Sequence, residues 1–228
     1  MTIARTGWSE IEVRMDAAKQ TLVDVFAKRA RNYDITSNFM YAAGMRIARY
    51  RRMSVDFLDL RPGDTVVDAG CGTGLNFPLI LDRIGPTGRI IGVDFSGEML
   101  AQAERRVARE GWTNVELIQA DLETFEFPPC DGIIAFLSIT LLPRYDETIA
   151  RGYAALRPGR RWVVHDYKLP GWWPERMLHL LEPLIKPFGG SMDMAARRPW
   201  ESIRRYGVDA AVIDRYFGFA VFAYGSAR

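Results

Sequence analysis

The sequence predicts a doubly wound α/β fold, with a mostly parallel, seven-stranded sheet and N-terminal helices lying over it as a lid. Three observations carry that expectation. Short runs rich in Val and Ile alternate with helix-period stretches between positions 65 and 165, the pattern of parallel strands joined by crossover helices. The run Thr65-Val66-Val67-Asp68-Ala69 passes directly into Gly70-Cys71-Gly72-Thr73-Gly74, a glycine-rich turn after a buried strand. Acids also stand at the ends of two successive strands, as Asp68 and Asp94.

The elements follow in order. From Trp8 to about Ala30, apolar residues recur at three- and four-residue steps, so an amphipathic helix is expected there, and a second helix over about 39–60 carries Arg46, Arg49, Arg51 and Arg52. Arg61-Pro62-Gly63-Asp64 is turn chemistry. Strand one is Thr65 to Ala69, and its helix runs from near Leu75 to Ile84. Gly85-Pro86-Thr87-Gly88 breaks the chain before strand two, Arg89 to Asp94. Ser96 then caps a helix reaching about Glu110. Strand three is Val115 to Gln119. Ile133 to Ser138 is almost continuously apolar, as a central strand covered on both faces should be. A helix over Tyr145 to Leu156 ends in Arg157-Pro158-Gly159, and Arg161 to His165 forms strand five. An apolar insert follows, with Trp172, Trp173, Leu180, Leu184 and Phe188, broken by Pro174, Pro183 and Pro187; it reads as short helices over a concave site. Stretches 208–213 and 217–225 should supply two final strands.

The 228 residues, 48% of them apolar, suffice for one compact domain, divided into a lid and acceptor-side segment (1–60) and a cofactor domain (61–228). A net charge of +2 is too balanced for a dedicated nucleic-acid binder, so no nucleic-acid partner is expected. Two cysteines suggest neither a disulfide framework nor a metal site. Glu10, Glu12 and Asp16 interrupt the N-terminal apolar residues, and no apolar run approaches a membrane span. A cytoplasmic protein is expected, one that touches the inner face of a membrane peripherally if the greasy N-terminal helix lies in the interface.

The turn specifies its ligand. Glycines at alternate positions allow a sharp bend and leave backbone N–H groups bare, so a cofactor can lie against the main chain. A dinucleotide fingerprint needs G-x-G-x-x-G, whereas Gly70, Gly72 and Gly74 give G-x-G-x-G. Asp68 would repel a pyrophosphate and attract the ammonium of an amino-acid moiety, which disfavours the alternative of an NAD-dependent oxidoreductase. Asp68-x-Gly70-x-Gly72-x-Gly74, followed by Asp94 and then by Ile118-Gln119-Ala120-Asp121-Leu122, resembles the class I S-adenosylmethionine-dependent methyltransferases. Tyr33-Asp34 is similar to an N-terminal element of the quinone and phospholipid (UbiE-like) branch.

The resemblance implies S-adenosyl-L-methionine as cofactor and S-adenosyl-L-homocysteine as product. It puts Asp94 on the ribose hydroxyls and Asp121 with Leu122 on adenine. Phe95 and Met99, just past Asp94, are expected to wall the adenine ring, with Ser138 and Thr140 lining the methyl-transfer centre. His165, beside Asp166 at the end of strand five, is a candidate general base, and Tyr33 a candidate for closing over the methyl or orienting the acceptor. The expected acceptor is small and lipophilic or amphipathic, with phosphatidylethanolamine N-methylation favoured over quinone C-methylation or a soluble amine or phenol.

Overall fold

A computed structural model describes residues 47–170, 172, 194 and 196–228. The expected helix from Trp8, Tyr33, the start of the second helix and the insert over 173–193 lie outside those residues.

The described elements are α1 (Ile47–Phe57), β1 (Thr65–Ala69), α2 (Phe77–Ile84), β2 (Arg89–Asp94), α3 (Gly97–Glu110), β3 (Val115–Gln119), β4 (Cys130–Phe136), α4 (Tyr145–Ala155), β5 (Leu156–Tyr167), α5 (Pro199–Tyr206), β6 (Val208–Arg215) and β7 (Ala220–Ser226). The strands form one seven-stranded sheet in the order β3-β2-β1-β4-β5-β7-β6. Neighbours are parallel from β3 through β5, while β7 runs antiparallel to both β5 and β6. The expected doubly wound sheet with a reversed last strand is what forms.

Side-chain alternation divides the core into two layers. Val66, Ile90, Ile134 and Val163 face α1, α2 and α3 through Val55, Phe77, Ile80 and Leu100. Val67, Ile91, Ile133, Trp162 and Val164 face α4 and α5 through Ile149, Tyr153, Trp200 and Ile203. Every residue of β4 is buried, because helices cover both of its faces. The strand order reverses between β1 and β4, and the carboxyl ends of the strands meet there in a crevice, the usual ligand position in such sheets.

Several boundaries move for local reasons. α2 begins at Phe77 rather than Leu75: Pro78 sits in its first turn, and the Asn76 side chain bonds to Asp68 instead of capping the helix. β4 starts earlier, at Cys130, because Asp131 is satisfied there by the Thr65 amide at 2.9 Å and by Arg157. It stops at Phe136, where Leu137 turns to a positive φ of 57°. β5 absorbs Arg157-Pro158-Gly159, since Leu156 already pairs with Cys130 before the register shifts to Gly132 and Arg161. Helix α5 is not among the expected elements, although Trp200 and Ile203 give it a buried face and Gly207 stops it.

Close packing is tightest where α4 crosses β5. A Cβ built on Gly152 runs into the Trp162 indole, which is fully buried. Gly152→Ala is therefore expected to destabilise the fold by about 1–3 kcal/mol through overpacking. Urea denaturation measures this, and a midpoint equal to wild type would show that the indole yields.

Candidate active site

The glycine turn is stitched to β2. Gly70 and Cys71 both donate their amides to the Val93 carbonyl, at 2.8 and 3.0 Å, and the Gly74 amide donates to Cys71 at 3.0 Å. The Gly72 amide donates to Asp94 Oδ2 at 2.8 Å, and the Ser96 amide to Asp94 Oδ1 at 2.9 Å. These amides are thus occupied, which corrects the expectation that the turn leaves its N–H groups bare. What the turn offers instead is the unclothed Cα of Gly72, at φ 56°, where an added Cβ meets nothing within 4 Å. Gly70 is different. Its Cβ direction is filled by Ser138, whose hydroxyl donates to the Ala69 carbonyl at 2.7 Å, so the end of β4 closes directly onto the end of β1.

A pocket lies along these strand ends. From the β3 side to the β4 side it is lined by Asp121 and Leu122, then Asp94, Phe95, Ser96 and Met99, then Gly70 to Thr73 and Leu75, and finally Phe136, Leu137, Ser138, Leu141 and Leu142. Arg51 of α1 reaches in at the far end, its guanidinium 4.2 Å from the Phe136 ring centroid. Asp94, Phe95, Met99, Asp121, Leu122, Ser138, Gly70 and Gly72 are therefore brought together. Burial raises the Asp94 carboxyl above its ordinary range, opposed by the amides of Ser96, Gly72 and Phe95. Each Asp94 oxygen spends one lone pair on an amide, and a carboxylate oxygen can accept a second bond. Asp121 Oδ1 also caps the following turn, accepting from the Glu123 amide at 2.9 Å. Gly74 is a turn-former here, packed against Phe77 rather than facing the pocket.

Asp68 is not in the pocket. It is fully buried beneath α1 and α2, and both of its oxygens accept from Asn76 Nδ2 at 3.1 Å. Burial pushes its carboxyl up to about 7, against the opposing effects of the Asn76 bond and the Arg51 charge. The expectation that Asp68 meets an ammonium group directly is corrected on this ground. The residue it reaches is Arg51, whose Nη1 donates to Asn76 Oδ1 at 2.8 Å. Neither Arg51 nor Asn76 stands out in the sequence, because an arginine among others on a helix reads as a solvated face.

His165 is also outside the pocket. Its ring is completely buried, stacked on Phe222 at 4.3 Å and next to Phe136 and Tyr50, with Nδ1 3.1 Å from the Val221 carbonyl. Burial lowers its pKa to about 3. A group so placed neither reaches an acceptor nor takes its proton at neutral pH, which removes the expected general base. Asp166 and Thr140 serve the backbone: Asp166 Oδ2 accepts from the Thr140 amide at 3.2 Å and Oδ1 from the Tyr167 amide at 3.1 Å. From the other side Arg197 Nη1 donates to the carbonyls of Thr140 and Leu141, at 2.7 and 2.9 Å. The turn after β4 is thus held from below and above.

Fold and site together define an α/β domain with a crevice at the carboxyl ends of its parallel strands. Residues 66–159 match the family model described as a methyltransferase domain. Those residues form a methyltransferase domain, and the chain resembles the class I S-adenosylmethionine-dependent methyltransferases of the quinone-methyltransferase branch. It is 31% identical over 158 residues to the demethylmenaquinone methyltransferase of Symbiobacterium thermophilum, an alignment covering 67% of this chain. The chain spans 61% of that relative's length. In fold it is similar to a SAM-dependent methyltransferase from Aquifex aeolicus, with TM-score 0.60 and 17% identity, covering 78% of this chain and 89% of that one. It is likewise similar to the geranyl diphosphate C-methyltransferase of Streptomyces coelicolor, with TM-score 0.63, 15% identity and 79% coverage of each.

The buried imidazole makes a pH prediction. Between its ordinary pKa of 6.5 and the lowered value of about 3, the unfolded chain binds a proton that the folded chain excludes, so stability falls as pH drops through that window. His165→Phe removes this linkage. The stability difference between variant and wild type should move in the variant's favour by up to about 1.4 kcal/mol per pH unit on acidification. Urea titrations at about pH 7 and about pH 5 test it; a difference that does not change with pH would mean the ring titrates freely.

Proposed function

We propose that this protein transfers the methyl group of S-adenosylmethionine to a small lipophilic acceptor carrying an ionisable ring hydroxyl, a quinol-type acceptor, with carbon as the methylated atom. The observation that carries this reading is the far end of the pocket, where, among the described residues, Phe136, Leu137, Leu141 and Leu142 line the wall together with Arg51, whose guanidinium lies over the Phe136 ring. The acids of the pocket, Asp94 and Asp121, stand at the opposite end, after β2 and β3. An ammonium such as that of phosphatidylethanolamine would face a guanidinium here, whereas a flat apolar ring with an ionised oxygen finds both an aromatic face and a positive charge. The Symbiobacterium relative, a demethylmenaquinone methyltransferase, supports the same acceptor class. Phosphatidylethanolamine is the second reading, and it rests on the apolar N-terminal stretch.

The cofactor supplies an electrophilic methyl on a sulfonium, so the protein has to dock it, align the acceptor and exclude water. Asp94 is assigned to the ribose hydroxyls, Phe95 and Met99 to the walls of the adenine slot, and Asp121 with Leu122 to the adenine edge. Gly70 and Gly72 pass beneath the amino-acid portion, and Ser138 fixes the spacing between the cofactor and acceptor sides. Residues before 61 are read as the acceptor-side lid, with Tyr33 in it. With His165 buried and neutral, the acceptor's own ionised oxygen provides the electron density for attack.

Two measurements test this. Asp94→Asn should weaken S-adenosylhomocysteine binding by about 1.5–3 kcal/mol, the range for hydrogen bonds to a charged group, and leave the circular dichroism spectrum unchanged. Equal affinity in the calorimeter would mean that the ribose is held elsewhere. In an assay with methyl-labelled S-adenosylmethionine, label is expected on a naphthoquinol offered in detergent and not on phosphatidylethanolamine vesicles. Label in the phospholipid alone would replace the quinol reading with the second.

A further inference from the structure

We propose that Leu137 is the residue that sets which width of acceptor ring this pocket takes, and that a left-handed bend of the backbone at Leu137 is what puts its side chain there. The inference rests on the quinol-type acceptor proposed above and deepens it by naming the side chain that measures the ring.

The bend breaks the alternation of β4. Ile133 and Ala135 belong to the core layer beneath α4 and α5, whereas Ile134 and Phe136 lie on the opposite side of the sheet. A strand that simply ran on would return residue 137 to the side of Ile133 and Ala135. Instead Leu137 takes a φ of 57° and packs, on the same side as Phe136, against the cluster of Ile47 and Tyr50 from α1 and Phe222 from β7. In the left-handed region a Cβ crowds the following carbonyl oxygen, so bulky residues are uncommon there. Such a conformation persists only where its surroundings over-determine it. Here the Leu137 amide donates to the His165 carbonyl at 2.8 Å, and the Ser138 hydroxyl to that of Ala69 at 2.7 Å. Asp166 Oδ2 takes the Thr140 amide at 3.2 Å. The bend is thus pinned to β1 and β5 at once.

The consequence is a slot. Leu142 packs against the other layer, the one beneath α4 and α5, and Leu137 and Leu142 are both half-buried and both line the pocket. The crevice at the end of β4 is therefore walled by leucines rooted in the two layers of the core, with Leu141 between them in the chain. Apolar walls from two sides suit a flat ring that enters edge-on, because both of its faces then leave water. The turn that leads to Leu142 is held by Arg197 through the carbonyls of Thr140 and Leu141. With that wall fixed, the side chain of Leu137 decides the gap.

Competition between hydroquinones of one, two and three fused rings, each methylated from labelled S-adenosylmethionine, reads the ratio of their kcat/KM values. Leu137→Ala is expected to shift that ratio toward the wider rings by about tenfold to a hundredfold, the scale of discrimination that apolar carbons give in a pocket. Leu137→Phe shifts it toward the single ring. A side chain that only packs would lower all three rates together, so an unmoved ratio in both variants overturns the proposal. Calorimetry with S-adenosylhomocysteine keeps the two sides of the pocket apart. Its affinity should hold in both variants, and a loss that matches the loss of turnover would place Leu137 on the cofactor and overturn the proposal as well. Urea denaturation of Leu137→Gly and Leu137→Ala tests the bend. Glycine is ordinarily the less stable of the two, but at a left-handed position it escapes the Cβ clash, so the glycine variant should have the higher midpoint. The opposite order overturns the role given to the backbone. A wild-type protein that methylates no hydroquinone sinks the acceptor reading itself, a result distinct from an active wild type whose variants keep its ratio.

Discussion

The hydrogen bond from the Gly72 amide to Asp94 fixes the spacing on which the rest of the site depends. It ties the turn after β1 to the end of β2, while the Val93 carbonyl collects the Gly70 and Cys71 amides beside it. The loop is thereby drawn across its neighbour and does not project from the sheet. The same carboxylate accepts the Ser96 amide, which sets the start of α3, and Ser96 Oγ caps that helix through the Met99 amide at 3.3 Å. One side chain thus joins a strand, a glycine turn and a helix N-terminus. A ligand that bonds to it meets a group already immobilised from three directions, so little ordering remains to be done on binding.

Much of this was legible in the sequence because it is written in local pattern. Strand ends, turn residues and the Ser96 cap follow from periodicity and from residue types with narrow backbone preferences. β1, β2 and β3 occupy their expected residues for that reason. The errors share another origin. Whether Asp68 faces a crevice or the underside of two helices depends on how α1 crosses the sheet, and no periodicity in a strand encodes that crossing. His165 has the same ambiguity: alternation says it lies on one face of β5, but only the pairing of β7 shows that Phe222 lies against it. Arg51 was hidden among other arginines, and Asn76 reads as an ordinary helix start. α5 was missed because eight residues provide barely two turns of pattern.

The polar groups inside this core illustrate two ways of burying chemistry. Asp68 remains close to titrating at neutral pH because an amide and a nearby cation offset part of its desolvation. His165 has only the Val221 carbonyl to set against its burial, and the Arg51 charge acts with the burial. It sits in aromatic surroundings and stays neutral, serving as a flat ring with one anchored nitrogen. Position at a strand end is thus insufficient to mark a side chain as reactive. The direction in which it projects decides between a working group and a packing element.

The turn after β4 has an implication for how the chain can diversify. Arg197 grips it by two carbonyls, and on the near side of the 173–193 stretch the Trp172 indole nitrogen donates to the Phe217 carbonyl at 3.0 Å, while the Lys168 amide donates to that of Phe219 at 2.9 Å. Both flanks of that stretch are moored to the rim of the sheet, one at β7 and one beside the leucines of the pocket. The residues that bracket the stretch are held by main-chain carbonyls and not by side chains, so the rim survives changes of side chain at Phe217, Phe219, Thr140 and Leu141 that would dissolve a rim built on side-chain contacts.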